Sequence, residues 1–503
     1  MQPNNLEPSA SGGLGIDAEE FRRVGRQVVD RVAQYLSSLP NGPVFQPLTP
    51  EARTKLLDLP LPDEGLPPQA AFEFAAEHLL THPMGNGHPR FFGWVNSPPA
   101  PRAILLEVIA AAMNPSCAGG DHAAIYLERA TVRWLMELLG FPTDKSMGLL
   151  VSGGSMATLT ALAAARHHAA QNAGWNVRAQ GLQHVTKPLV LYMSGEGHSC
   201  VRKSVELLGL GSEALHVVPV DRENHLDVEA LRTAIFQDRA AGLMPFCVVA
   251  SAGTVATGAI DPLDRIADLC AEQKLWFHID GAYGAVGILD DRLQARYAGM
   301  ERADSLALDP HKWLSVPVEC GCVLVRNASL LRETFSLVPE YLRTEEGKGF
   351  GGLPWYSEYG FQQTRGFRAL KLWSTLIQRG RTGLAATIRR HNDLARYFAT
   401  QIEAAPDFEL CAPVELSIVC FRYVPESLRG QDEPLNALNK RIMETVQGGG
   451  DAFITNAVLN GRFALRACIL HYATKEEDLD ALMRIVRDTG VQLLRGAATR
   501  PGR

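Results

Sequence analysis

Apolar residues recur along this chain with two different periods. Over residues 17–39 the period is helical, and Phe21, Val24, Val28, Val32, Tyr35, Leu36 and Leu39 fall on one stripe. Asp17 is placed to cap that helix, Glu20 three residues on completes a capping-box pattern of the Asp type, and Pro40-Asn-Gly-Pro43 stops it. A second helical run covers 123–139, with Ile125, Leu127, Val132, Leu135, Leu138 and Leu139 apolar. Short continuous apolar runs then occur at 148–152, 189–193, 215–220, 246–251, 275–280 and 305–308, separated by helical stretches. Strands that lack polar alternation are buried on both faces. The pattern therefore predicts an α/β fold, a mostly parallel sheet sandwiched by helices.

The run 321–326 reads as a hairpin-edge strand. A helix from 363 to about 378 follows, then a helix over 381–404, a strand over 416–422, a helix over 434–447, strands over 451–458 and 462–469, and a helix over 475–495. That last series predicts a small C-terminal α+β domain. The expected division is an N-terminal helical segment (1–85), a large domain (86–378) and the small domain (379–503). Residues before about 16 are rich in Pro, Asn, Ser and Gly and are expected to be disordered. The stretch 339–353 is Gly-rich, charged and aperiodic, as a mobile lid would be. No internal repeat is found.

Composition narrows the class. At 503 residues, 46% hydrophobic and 21% charged, the chain has the make-up of a soluble globular enzyme, and its length suggests roughly three domains. A net charge of −6 and the lack of a long Lys/Arg block argue against a nucleic-acid surface. The start has no basic or apolar leader, and no apolar run approaches the ~20 residues of a membrane span. The nine cysteines are scattered, and Cys320-Gly-Cys322 has the wrong spacing for a zinc ribbon or a redox pair. Free thiols in a reducing cytoplasm, with no metal site, are the expectation.

Candidate chemistry gathers where strands end, which is where parallel sheets bind ligands. In Asp304-Ser-Leu-Ala-Leu-Asp-Pro-His-Lys-Trp313, Pro310 ends regular pairing and leaves Lys312 on a stiff turn between His311 and Trp313. Poor solvation there would favour the nucleophilic free amine, which condenses with carbonyl cofactors. Upstream, Leu275-Trp-Phe-His-Ile-Asp280 is an apolar strand ending in a carboxylate. An acid at a strand end and a downstream lysine are what pyridoxal 5'-phosphate (PLP) requires. The acid keeps the ring nitrogen protonated and the lysine holds the aldehyde carbon. Gly153, Gly154 and Ser155, between an apolar strand and a helix from Met156, supply a phosphate cradle of backbone N–H groups and a hydroxyl. No G-x-G-x-x-G follows the first strand, which disfavours a nicotinamide enzyme.

Over nearly the whole chain, residues 16 to 494, these motifs resemble the group II PLP-dependent amino acid decarboxylases, the family of aromatic-L-amino-acid, histidine and glutamate decarboxylases. His-Lys-Trp at 311–313 and Asp-x-Ala-Tyr at 280–283 carry the resemblance. It implies the fold type I of PLP enzymes and a homodimer with the N-terminal segment packed on the partner subunit. It also implies decarboxylation of an L-amino acid. By the same resemblance, His198 stacks on the cofactor ring, Thr254 lies close to it, and Ala282 and Ser305 count among the cofactor-binding residues. His311 and the lid residue Tyr341 are placed for proton delivery at Cα; phenylalanine at the lid position marks aldehyde synthases. Arg365 matches an arginine that grips the substrate α-carboxylate, a task suited to a guanidinium fork.

Substrate identity is less constrained. His88-Pro-Arg-Phe-Phe92 matches a family signature, with Phe91 and Phe92 read as core and Trp94 and Ser97 as substrate-binding. Trp94 offers a face on which an aromatic substrate can stack, and no Arg or Lys in 94–97 or 114–122 would pair a second carboxylate. Aromatic amino acids therefore lead, with acidic or small polar amino acids as the alternative. An aldehyde synthase or aminotransferase would use the same lysine. The 114–122 segment is expected to reach the partner's site. The better-known members carry Asn where this chain has Asp309; a carboxylate beside a phosphate is repulsive, and Asp309 is left without a role.

Overall fold

In a computed structural model of the chain, Gly15 and residues 17–337 and 351–498 are described. The leading stretch, most of the expected lid and Tyr341 lie outside those residues. Seven strands form the large sheet: β1 (Met147–Val151), β2 (Leu189–Ser194), β3 (Leu215–Val218), β4 (Met244–Ser251), β5 (Trp276–Asp280), β6 (Ser305–Leu308) and β7 (Gly321–Val325). Their order is β1-β7-β6-β5-β4-β2-β3. Pairings β2–β3, β2–β4, β4–β5 and β5–β6 are parallel.

The continuous apolar runs are explained by burial on both faces. In β2, Leu189, Leu191 and Met193 enter one core while Val190 and Tyr192 enter the other. β4 and β5 divide likewise, with Val249 and Trp276 on one side and Val248, Phe277 and Ile279 on the other. Such strands have no wet face to carry polar residues.

The expected edge strand is a correction. β7 pairs antiparallel with both β1 and β6 and is fully buried in the sheet interior. Local sequence revealed the strand but not its two partners. Its insertion needs Gly321, because a Cβ there would lie 2.4 Å from the Gly153 Cα.

The second sheet contains β8 (Phe408–Leu410), β9 (Ile418–Tyr423), β10 (Thr455–Leu459) and β11 (Arg462–Cys468) in the order β10-β11-β9-β8, all antiparallel. β8, at three residues, was too short to announce itself. Phe398, Phe421, Leu465 and Leu482 build this sheet's own core. Arg368–Ala404 packs Leu372, Leu376 and Ile388 into a core of the large sheet and Leu394, Phe398 and Ile402 into that of the small one, and it breaks its helical path at Gly380 (φ 59°, ψ 173°), where the sequence separates two helices. Phe91 and Phe92 are buried as expected. Phe92 exchanges backbone bonds with Phe453 and Cys468 of the small-sheet region.

The first helix, Ala18–Ser38, is capped by Asp17, whose carboxylate accepts from the Glu19 and Glu20 N–H groups at 2.8 Å. None of its residues is buried within the chain, and Phe21 on its apolar stripe is 59% exposed.

Candidate active site

Five of the seven strands of the large sheet lead to groups that line one cavity of about 580 Å³. β1 leads to Gly153, Gly154 and Ser155, β2 to Glu196 and His198, β4 to Thr254, β5 to Asp280 and Ala282, and β6 to Asp309, His311 and Lys312; all line the cavity. Trp94, Asn96 and Glu319 complete its mouth. A larger cleft of about 850 Å³ lies at the opposite edge of the sheet, beside Met244, Trp276 and Asp304. It holds none of these groups and sits at the strands' amino ends, so we place the chemistry in the smaller cavity.

The lysine turn is locked by its backbone. The Asp309 N–H donates to the Ala282 carbonyl (3.1 Å), the Lys312 N–H to the Asp309 carbonyl (2.9 Å) and the Val316 N–H to the Pro310 carbonyl (3.3 Å). Lys312 does not sit between its neighbours' rings. Trp313 turns into the core, stacked on Tyr283 with centroids 4.8 Å apart, and the His311 Nδ1 faces the Cys320 backbone. The close partner of Lys312 Nζ is instead the Asp309 carboxylate, at 3.0 Å. The expectation of an amine hemmed in by two rings is thereby replaced by an ion pair.

The helix Gly154–Asn172 starts directly at the cradle, so its free N–H groups face the cavity. Asp280 accepts from the Ala282 N–H at 3.1 Å. The end of β4 is strapped by Asp261. It is buried and accepts from the Ser251 and Leu226 N–H groups at 2.7 Å, and burial pushes its carboxyl up to about 6. Burial also raises Glu196. Burial, then the charge of Asp280, push the Cys200 thiol up to about 12, so it is neutral and no nucleophile at physiological pH.

Three expected residues lie elsewhere. Arg365 is 4% exposed and outside the cavity. Its guanidinium pairs with buried Glu128, donates to the Cys117 (2.8 Å) and Leu150 (2.6 Å) carbonyls and lies 4.7 Å from the Tyr356 ring centroid. With its donors so committed, it has no fork left for a substrate carboxylate. Glu128 could have signalled this, since it falls on the buried face of Ala123–Leu139 among Ile125, Val132 and Leu135. An acid on an apolar stripe implies a buried cation. Ser305 is fully buried below the cavity, bonded to Trp276 Nε1 and His278 Nδ1 at 2.8 Å each, so it supports the strand rather than the cofactor. Ser97 reaches the His311 carbonyl (3.4 Å) from outside the cavity lining. The segment 117–120 is buried within the chain, and Trp355 crowds Gly119.

A lysine turn, a strand-end acid and a glycine cradle at the carboxyl edge of a parallel sheet define a PLP enzyme. The chain matches the model of the pyridoxal-dependent decarboxylase conserved domain over residues 50–424, and it belongs to that family. It is 34% identical to an aromatic-L-amino-acid decarboxylase from Bacillus atrophaeus, covering 94% of this chain and 96% of the relative. It is 29% identical to a phenylacetaldehyde synthase from a Rosa hybrid cultivar, covering 97% and 98%. Among solved structures, that of Oryza sativa TDC with PLP and tryptamine superposes with a TM-score of 0.88 at 26% identity, covering 96% of this chain and 99% of that one. The cofactor is PLP and the enzyme is a carboxy-lyase. The cavity fits it: two glycines leave room at a helix start, an amine lines the wall, and a buried Asp309 oxygen lacks a partner.

Replacing Arg365 by alanine strands Glu128 in the core. We expect unfolding free energy to fall by about 3–5 kcal/mol, read from denaturant midpoints. Unchanged stability with a raised KM would instead return Arg365 to the substrate.

Proposed function

We propose that this chain decarboxylates aromatic L-amino acids to the corresponding amines and carbon dioxide. One observation carries the choice of substrate. The Trp94 indole stands 48% exposed at the cavity mouth, and among the described residues no arginine lines that cavity. Its charged lining is instead Asp280, Asp309, Glu196 and Glu319 against Lys312. A second substrate carboxylate would enter a site already rich in acids, at a cost of several kcal/mol when buried unpaired. A ring stacked on Trp94 gains about 0.5–1.5 kcal/mol beyond its burial. The names of the Bacillus atrophaeus and Oryza sativa relatives agree with that preference.

Bound PLP supplies the electron sink for the pair released when the Cα–carboxylate bond breaks. Lys312 Nζ holds the cofactor's aldehyde carbon, and Asp280 holds the proton on its ring nitrogen. Gly153, Gly154 and Ser155 take the phosphate, with Ala282, Thr254 and His198 bounding the ring. With Arg365 withdrawn, the basic side chains left at the cavity among the described residues are Lys312, His198 and His311. His311, with its Nδ1 occupied at Cys320, presents Nε2 for a proton at Cα. Tyr341 keeps the role of proton donor on sequence grounds alone, and Ser97 positions the turn through the His311 carbonyl.

A homodimer is part of the same proposal. Phe21 and Val28 on the stripe of Ala18–Ser38, and Leu105, Val108, Ile109 and Met113 of the helix Pro101–Met113, are left exposed by the single chain. All nine cysteines are free, and no described helix is long and apolar enough to cross a membrane; both agree with a cytoplasmic setting.

Light scattering should return a particle of twice the chain's mass, and an active monomer would contradict the dimer. A panel of L-amino acids, assayed for amine, carbon dioxide and aldehyde, should rank tryptophan, tyrosine, phenylalanine and DOPA above glutamate and aspartate. A tenfold preference for an acidic substrate, roughly 1.4 kcal/mol in transition-state binding, would overturn the stacking argument. Aldehyde as the main product would move the chain toward the phenylacetaldehyde synthases.

A further inference from the structure

Asp309, left without a role by the sequence, points into the cofactor cavity. Its side chain is 3% exposed, and its position is fixed by the two backbone bonds to Ala282 and Lys312. Oδ2 lies 3.0 Å from Lys312 Nζ and 3.8 Å from His311 Nε2. Oδ1 is buried with no hydrogen-bond partner. Both oxygens face the glycine cradle. A Cβ built on Gly154 would lie 3.0 Å from Oδ2, and one on Gly153 would lie 3.8 Å from Oδ1. The carboxylate thus stands against the N–H groups expected to receive the cofactor's phosphate, with one acceptor oxygen awaiting a donor. A buried acceptor left in that state is costly, and a phosphate oxygen without a proton would not relieve it.

We propose that Asp309 and the phosphate of PLP share one proton, so that loading the cofactor takes up a proton from solvent. This rests on the reading of the cavity as the PLP site. In water at neutral pH both groups are largely ionised, since a phosphate ester loses its second proton near about 6 and a carboxyl near about 4. Side by side in a buried cradle they repel, and two anionic groups sharing a site retain one proton between them. The other groups around Asp309 do not remove the conflict. Lys312, its only ammonium neighbour, must also serve the cofactor's aldehyde carbon. His311 stands farther off. Asp280, Glu196 and Glu319 around the cavity are acids, and His198 faces it from the β2 side. Cys320, buried behind the turn and raised by that burial to about 12, is neutral. No other lysine or arginine lines the cavity among the described residues. The only bond made in the step is O–H: a proton from solvent enters between a phosphate oxygen and Oδ1, whose missing partner it supplies.

The test uses the full chain, stripped of cofactor and reloaded with PLP, from about pH 6 to about pH 9. In wild type the phosphorus NMR signal of bound PLP should hold its monoanion position beyond the pH at which free PLP has become a dianion. In Asp309→Asn, where the amide donates without needing a proton, the signal should sit at the dianion position from about pH 7. The wild-type Kd for PLP should rise about tenfold more per pH unit than that of Asp309→Asn, the signature of one extra proton bound. Pyridoxal, which lacks the phosphate, should show the same pH dependence with both proteins. A dianion signal in wild type at neutral pH, or equal slopes for PLP, overturns the shared proton and leaves the PLP site standing. Failure of wild type to take up PLP at all overturns both. If Asp309→Asn does not fold, the wild-type phosphorus signal decides alone.

Discussion

The height of the reactive amine above the sheet is set by one packing contact, the Trp313 ring lying on Tyr283 at an interplanar angle of 19°. Each ring is anchored at its polar end. Trp313 Nε1 donates to His391 Nδ1 at 2.9 Å, and the Tyr283 hydroxyl meets Ser417 Oγ at 2.6 Å. Burial pushes His391 down to about 3, so the imidazole stays neutral and its Nδ1 can accept. Stacking adds about 0.5–1.5 kcal/mol beyond the burial of two large rings. The larger consequence is positional. The residue after Lys312 is fixed to the long helix, and the residue three after Asp280 is fixed to the segment entering the small sheet. Acid and amine are therefore held relative to each other by the whole molecule.

A second constraint holds the opposite wall. Glu128 accepts from the Leu150 N–H at 3.1 Å while Arg365 donates to the Leu150 carbonyl, so an ion pair clasps the end of β1 just before the glycine cradle. A buried pair of this kind is poor evidence for added stability, but losing one partner is severe. It ties the segment that follows the expected lid to the strand that carries the phosphate site. Between these two walls the cavity collects more negative charge than positive, which is unusual for a site that must bind a phosphate and a carboxylate. The charge of Lys312 alone does not offset it, and that imbalance makes Asp309 the residue on which cofactor loading turns.

Much of this arrangement was legible in the sequence because two strong local signals coincide. Doubly buried strands leave unbroken apolar runs, and the small residues and breakers at their ends mark where groups can face a ligand. That placed Asp280, Lys312 and the glycine cradle around one cavity, and the family resemblance added His198 and Thr254. The failures at single residues share one cause: local sequence does not say which way a side chain turns once packing competes for it. Trp313 and His311 were read as walls around Lys312, yet one joined the core and the other a backbone amide. Arg365 was carried over by motif and is consumed by Glu128. Ser305 was read toward the cofactor but sits where the strand pairs with His278. β7 looked like an edge because its pairing is wholly non-local.

The central claim is that Lys312 holds the cofactor's aldehyde carbon. Borohydride reduction of the holoenzyme followed by peptide mapping tests it most directly. The account predicts bleaching of the visible absorbance and a pyridoxyl group on the peptide that contains Lys312. Recovery of that group on any other lysine, or on none, would contradict it.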